Sequence, residues 1–234
     1  MMLRAEGLDT YYGRAQILHD IALEVDAGEV VVLLGRNGAG KSTTLKSLIR
    51  LVEPARGKIW LRDRPIDGLM PFQIARLGLG YVPEERRIFA DLTVEENLEV
   101  GRLAPRGGRP PWTPERIFAF FPNLAPMRKR RAGRMSGGEQ QMLTIARTLM
   151  GNPDCVLLDE PSEGLAPVIV DRMAAAIREL KADGLSVLLS EQNLHFAMAV
   201  ADRAYIIEKG QIRFAGTVAE LNADEDVRKA YLAV

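Results

Sequence analysis

The run Gly35-Arg36-Asn37-Gly38-Ala39-Gly40-Lys41-Ser42 follows an apolar stretch and opens a helical pattern. Glycines at this spacing let the backbone approach an anion closely. Their N–H groups, with the N-terminus of the helix, present partial positive charge to phosphate. Lys41 is placed to reach β- and γ-phosphates and Ser42 to ligate Mg2+. A second pair, Asp159-Glu160, ends an apolar run that begins at Cys155. An aspartate at the carboxyl end of a buried strand lies where α/β sheets hold ligands. Asp159 is the expected Mg2+ partner, through water. Glu160, alternating to another direction, is the expected general base toward an attacking water.

Between them lies Ser136-Gly137-Gly138-Glu139-Gln140-Gln141, about 100 residues after the phosphate loop. Ser136 with Glu139 three positions on forms a capping box, which explains that pair without any ligand. The two glycines are less easily explained, because glycine in a first helical turn lowers helix stability. Such a cost is sensible where the backbone must approach a phosphate, and the capping role holds alongside it. A glycine turn that binds nothing, or two acids capping a strand exit, would each account for one motif. All three in one chain point to an ATPase.

The elements that position these residues are legible in outline. Residues 17–25, 30–34 and 58–61 are rich in β-branched and apolar side chains and read as strands, with turns at Ala27-Gly28 and over 54–57. Residues 40–51 carry Leu45, Leu48 and Ile49 at helical spacing. Residues 84–150 change character, with short helical patterns, a Gly/Pro-rich connection over 104–114 through Gly107-Gly108, and a basic cluster over 128–131. They read as a helical subdomain inserted into a core formed by about 1–83 and 151–234. Residues 155–158 and 186–189 are apolar enough for strands buried on both faces. Residues 167–182 read as a helix ending at Gly184, 203–208 as a strand, and Lys209-Gly210 as a hairpin turn into 211–214. Thr217 and Glu220 form a capping box for a short helix. Strands alternating with helices argue for an α/β sheet with parallel central strands.

Composition narrows the function classes. The 234 residues hold 31 basic and 31 acidic side chains, so bulk charge gives no basis for nucleic-acid binding. The basic cluster of Arg128, Lys129, Arg130 and Arg131 lacks interleaved aromatics and reads as a solvated surface. The lone cysteine, Cys155, excludes an intrachain disulfide and reads as core packing in a reducing compartment. No apolar run approaches the ~18 residues of a membrane span, and the opening residues lack the apolar segment of a signal peptide.

The phosphate loop, the Ser136 run and Asp159-Glu160, in that order, resemble the Walker A, signature and Walker B motifs of the ATP-binding cassette family over essentially the whole chain. The resemblance implies an α/β P-loop core with a mostly parallel central sheet, an N-terminal antiparallel β-subdomain and the inserted helical subdomain. It implies that ATP and Mg2+ are bound by Gly35, Arg36, Asn37, Gly38, Ala39, Gly40, Lys41, Ser42 and Thr43. Tyr12 matches the aromatic that stacks on adenine, with Tyr11 beside it as the alternative. Two cassettes would pair head to tail. The signature Ser136, Gly137, Gly138, Glu139 and Gln140 of one would then act on the other, with Ser136, Gly138 and Gln140 contacting the γ-phosphate held by its Lys41 and Ser42.

Departures from the family pattern fall in the same region. After Tyr81-Val82-Pro83 the family usually has glutamine, whereas this chain has Glu84, which can still ligate Mg2+ but adds negative charge. Where a histidine usually contacts the γ-phosphate, Gln192 stands in register and His195 does not. Gln192 can donate a hydrogen bond but cannot carry charge. The usual aspartate near Leu165 and Ala166 is absent. These segments, with Leu92 to Leu98 and Pro161 to Pro167, resemble the shorter ATPase subunit of branched-chain amino-acid importers. That branch implies a sibling ATPase (or a homodimer in isolation), two membrane permeases and an extracytoplasmic binding protein. The chain would sit at the cytoplasmic face of the membrane. Importers of urea, short amides or aromatic acids share the pattern. A soluble cassette of DNA repair or translation, and a non-hydrolytic regulatory module, fit the motifs less well.

Overall fold

The computed structural model describes residues 1–106 and 109–231. The surface connection expected at Gly107-Gly108 lies outside the described residues. The chain opens with β1 (Leu3–Tyr12), β2 (Ala15–Val25) and β3 (Val30–Leu34), followed by α1 (Lys41–Leu48). Next come β4 (Arg56–Leu61), β5 (Arg64–Pro65), α2 (Pro71–Leu77) and β6 (Leu79–Val82). A helical stretch follows, with α3 (Val94–Val100), α4 (Pro114–Phe120) and α5 (Gly137–Leu149). Then come β7 (Cys155–Asp159), α6 (Pro167–Ala182), β8 (Ser186–Glu191) and α7 (Leu194–Val200). The remaining elements are β9 (Arg203–Glu208), β10 (Gln211–Thr217), α8 (Val218–Ala223) and α9 (Glu225–Tyr231).

Two sheets result. One is a four-stranded antiparallel sheet in the order β2-β1-β4-β5; the other has six strands in the order β10-β9-β3-β8-β7-β6. In the second sheet β9, β3, β8, β7 and β6 run parallel, and β10 pairs antiparallel at the edge. Strands β3, β7 and β8 are buried at every residue, as a parallel sheet covered on both faces requires. The pleat sends alternate residues to opposite faces. Val30, Val32 and Leu34 of β3 join one core with Leu143, Leu158 and Phe196, whereas Val31 and Leu33 join the other with Leu45 and Leu157. Truncating a fully buried leucine such as Leu33 to alanine would cost about 2–5 kcal/mol.

The helices between β6 and β7 do not form a separate core. Leu98, Phe118, Phe121, Leu124 and Leu143 pack in the same cluster as Val156 and Leu158 of the central sheet. Asn97, fully buried on α3, holds the preceding loop: its Oδ1 accepts from Phe89 N at 3.0 Å and its Nδ2 donates to Phe89 O at 3.0 Å and Thr93 O at 2.9 Å. Among the described residues no helix is long and apolar enough to cross a membrane.

Boundaries differ from the sequence reading where the backbone is set by contacts. The helix expected over 40–51 stops at Leu48, because Arg50 takes a left-handed φ of 59°. Strands β1 and β6 and helices α2 and α7 escape periodicity, since they are short or bulged; β1 shifts register twice between Ala5 and Thr10. The β9–β10 hairpin does turn at Lys209-Gly210, with φ of 48° and 73°, as a two-residue turn with both φ positive requires.

Candidate active site

Sheet order brings the motifs together. β8 lies between β3 and β7, with Leu34 paired to Glu191 and Asp159 paired to Ser190. The carboxyl ends of three adjacent strands therefore deliver the phosphate loop, Asp159-Glu160 and Glu191-Gln192 to one rim of the sheet. That rim is where ligands bind in open α/β sheets.

The phosphate loop is held from beneath. Gly40, the residue before α1, has φ of 114°, which disfavours any side chain, and a Cβ there would lie 2.9 Å from Leu18 Cδ2. The hairpin turn of β9–β10 braces the loop, with Gly210 N donating to Ala39 O at 2.8 Å. Lys41, 3% exposed, donates from Nζ to Gly35 O at 2.9 Å and Arg36 O at 3.1 Å. The same ammonium stands 3.0 Å from Glu160 Oε1.

Asp159 collects three hydroxyls. Ser42 Oγ donates to its Oδ1 at 2.9 Å, Ser190 Oγ to the same oxygen at 2.7 Å, and Tyr81 Oη to Oδ2 at 3.0 Å. Burial, with Asp159 adjacent, pushes the Tyr81 phenol well above its usual value and keeps it a donor. Glu160 is 7% exposed and has a left-handed φ of 45°, a sparsely populated conformation for a residue with a side chain. Its N–H donates to Ser190 Oγ at 3.1 Å and Ser190 O at 3.2 Å, and Gln192 Nε2 donates to its Oε2 at 2.8 Å. Burial pushes the Glu160 carboxyl up, but hydrogen bonds with Glu163, Gln192 and Lys41 and the lysine charge together hold it below the usual carboxylate value. Its neighbour Glu163 takes the opposite shift. The hydrogen bond to Glu160, with burial and the charges of Glu160 and Glu84 adding, pushes that carboxyl up to about 7. Glu84 is raised as well, first by burial and then by the charges of Glu160 and Asp159.

A cleft of about 350 Å3 opens over these groups, lined by Tyr12, Ile17, Asn37, Gly38, Gly40, Lys41, Ser42, Thr43, Glu84 and Glu160. Tyr12 is 49% exposed and faces it, whereas its neighbour Tyr11 does not line it. None of Ser136, Gly137, Gly138, Glu139 and Gln140 lines this cleft. Ser136 instead caps α5 with Glu139, its N–H donating to Glu139 Oε2 at 2.8 Å. The Gln140 amide turns back to donate to Met135 O at 3.1 Å. Gly138 has an internal reason too, because a Cβ there would lie 3.0 Å from Ile169 Cγ2. A Cβ on Gly137 would meet only the movable end of the Arg86 side chain, 2.6 Å from Nη1, so packing does not require that glycine.

The oxygens offered near the loop are a hydroxyl, Ser42, and carboxylates, Asp159 and Glu84, which are hard ligands suited to Mg2+. Among the described residues no three acidic, histidine or cysteine side chains converge into a cage of their own. That fits a cation held by few protein groups, by water and by phosphate oxygens. Sequence reasoning missed Tyr81, Ser190, Glu163 and Glu191 here. Tyr81 and Ser190 sit at strand ends beside named motifs, and strand neighbourship was the signal that could have found them.

A phosphate loop on a doubly covered parallel sheet, with a buried acid pair at the ends of its central strands, defines a nucleotide-hydrolysing cassette. The family described as "ABC transporter" matches residues 18–163, and the chain belongs to that family and is an ATPase. It is 45% identical over 231 residues to the "High-affinity branched-chain amino acid transport ATP-binding protein BraG" of Pseudomonas aeruginosa, covering 99% of each chain. It is 37% identical to the "Lipopolysaccharide export system ATP-binding protein LptB" of Acidithiobacillus ferridurans, over 99% of this chain and 96% of that one. Among solved structures, a nucleotide-free ATP-binding cassette from an ABC transporter superposes with a TM-score of 0.85 at 26% identity, covering 100% of this chain and 98% of that one.

Proposed function

We propose that this cassette powers import of branched-chain, hydrophobic amino acids through partner permeases. The observation that carries the site reading is the Lys41–Glu160 pair, 3.0 Å apart in the cleft that Tyr12, Ser42 and Glu84 also line. Tyr12 stacks on adenine. Gly35 to Thr43 cradle the phosphates, with Lys41 neutralising the β- and γ-oxygens. Ser42, Asp159 through water, and Glu84 would hold Mg2+, which when bound neutralises charge on the transferring phosphoryl group. The γ-phosphate competes with Glu160 for the Lys41 ammonium, which frees the carboxylate to take a proton from the attacking water. Gln192, now bonded to Glu160, orients that carboxylate rather than supplying charge.

The signature residues Ser136 to Gln140 lie outside the chain's own cleft, which supports their acting on nucleotide held by a second cassette. Two cassettes close around ATP and reopen after hydrolysis. A groove lined by Tyr81, Phe89, Val100, Leu103 and Arg147, against the helical unit of about 84–150, is the docking surface for a permease. The cargo assignment draws on the 45% identity to BraG. The partners are a sibling ATPase, two permeases and, through them, an extracytoplasmic binding protein, with the chain peripheral at the cytoplasmic face of the membrane. A second reading keeps the cassette and changes the cargo, favoured by the 37% identity to a chain named for lipopolysaccharide export.

Purification of the tagged chain from native membranes in mild detergent tests both. A sibling ATPase, two permeases and a binding protein that takes up branched-chain amino acids establish the importer. Recovery of the chain alone, from the soluble fraction, removes the transport reading, and recovery with export components selects the second.

A further inference from the structure

Glu191, the last residue of β8, is 2% exposed and its carboxylate pairs with no cation among the described residues. A buried unpaired carboxylate is costly, so its contacts need a reason. Its Oε1 accepts from Ser162 N at 3.0 Å. Its Oε2 accepts from Gln192 N at 3.1 Å and Asn193 N at 3.2 Å. One side chain thus holds two separate turns, the one after Glu160 and the one carrying Gln192. The Gln192 amide closes the ring by donating to Glu160 Oε2 at 2.8 Å. Glu160 is gripped from its other side by Ser190, whose carbonyl and hydroxyl both accept from the Glu160 N–H. Consecutive residues of β8 therefore fix the backbone before and after a residue held at a left-handed φ of 45°.

We propose that Glu191 is a positioning residue for hydrolysis, stapling the Glu160 turn to the Gln192 turn so that the Glu160 carboxylate stands where the attacking water is taken. The inference rests on the reading of Glu160 as general base. A carboxylate suits this task because both of its oxygens only accept, and the turns present only donors. Glutamine at the same position keeps the shape but offers one accepting oxygen and turns an NH2 toward backbone N–H groups. Asn193, not Glu191, caps α7, its Oδ1 accepting from Phe196 N at 3.1 Å, so the carboxylate is not needed to start that helix. Burial is the largest influence on the Glu191 carboxyl and holds it above the usual carboxylate value, with the bonds from Ser162, Asn193 and Gln192 pulling against it.

The test uses the purified full chain with Glu191→Gln, Glu191→Ala, Gln192→Ala, the Glu191→Gln/Gln192→Ala double variant, and Glu160→Gln. Steady-state kcat and KM for MgATP, equilibrium ATP affinity and Tm are measured for each. A misplaced general base predicts a kcat lowered on the order of 10–100-fold in Glu191→Gln, with KM and ATP affinity within about twofold of the parent. The double variant should lose no more than the worse single, because both changes break one ring. A folded Glu191→Gln with parental kcat overturns the proposal. So does a fall in kcat that only tracks Tm, or losses in the double variant that multiply. Glu160→Gln reports on the underlying reading separately: if it turns over normally the general base lies elsewhere, whatever Glu191 does.

Discussion

Lys41 Nζ and Glu160 Oε1 stand 3.0 Å apart, both side chains shielded from water, one from the phosphate loop and the other from the end of β7. Neither residue reaches this arrangement through its own element alone. Lys41 is oriented by the Gly35 and Arg36 carbonyls, and Glu160 by Ser190 and Gln192. The pair is poised so that an anion arriving at the loop changes both partners at once.

Replacing Glu160 by glutamine keeps the size and the bond to Lys41 weakened, and removes the proton acceptor. ATP binding should persist while turnover falls on the order of 10²–10⁴-fold, and a closed dimer should accumulate with ATP. Nucleotide binding, phosphate release and light scattering read the three effects. Normal phosphate release in this variant would take Glu160 out of its role.

The two tyrosines at the end of β1 separate the adenine contact from mere exposure. Tyr12 lines the cleft and Tyr11 does not. Tyr12→Ala should weaken ATP binding by about 1–3 kcal/mol, the range of aromatic stacking on a base, and Tyr12→Trp should preserve it. Tyr11→Ala should leave affinity unchanged. Equal losses in the two alanine variants would remove Tyr12 from the adenine site.

Gly138 has two candidate reasons, packing and phosphate contact, and one pair of variants distinguishes them. Gly138→Ala forces a Cβ to 3.0 Å from Ile169 Cγ2 and should cost about 1–3 kcal/mol of stability. Adding Ile169→Ala, which removes both γ carbons that a Gly138 Cβ would meet, should make the Tm loss of the pair smaller than the sum of the two singles. ATP-dependent dimerisation and turnover should stay lost in the double variant, because the cleft of the partner still meets an altered signature. Recovery of turnover together with Tm would reduce Gly138 to packing.

Glu163 gives the stability a pH dependence of definite sign. Its carboxyl rises from the usual 4.5 to about 7 in the folded chain, so between those values the folded state holds more protons than the unfolded one. The contribution to stability is full below pH 4.5 and is lost as pH climbs to about 7. Glu163→Gln should therefore flatten the fall of Tm across that window relative to the parent. Melting both chains from pH 5 to 8 checks it; parallel curves would show that Glu163 does not take up the proton.

Much of the chemistry was legible because glycine spacing, a lysine and an acid pair at a strand end are local patterns with local reasons. The spacing of Gly35 to Ser42, between an apolar strand and a helix, is a local pattern that points to a phosphate cradle. The apolar runs of β3 and β7 announce strands buried on both faces. The limit of α1 moved because Arg50 takes a left-handed φ and Leu51 N closes onto Lys46 O at 2.8 Å, a local cap that hydrophobic spacing does not record. The reading of Gly138 was incomplete for a different reason, since Ile169 arrives from another part of the chain.

By itself, then, the sequence determined the motifs, their order and the class of reaction, because each motif is a short run whose residue types already contain its chemistry. Only the tertiary structure decided that Tyr81, Ser42 and Ser190 share Asp159, that Tyr12 rather than Tyr11 lines the cleft, and that Glu191 ties two turns together. Those relationships depend on β8 lying between β3 and β7. Strand order is set by burial of both sheet faces over the whole chain, and no local pattern records it.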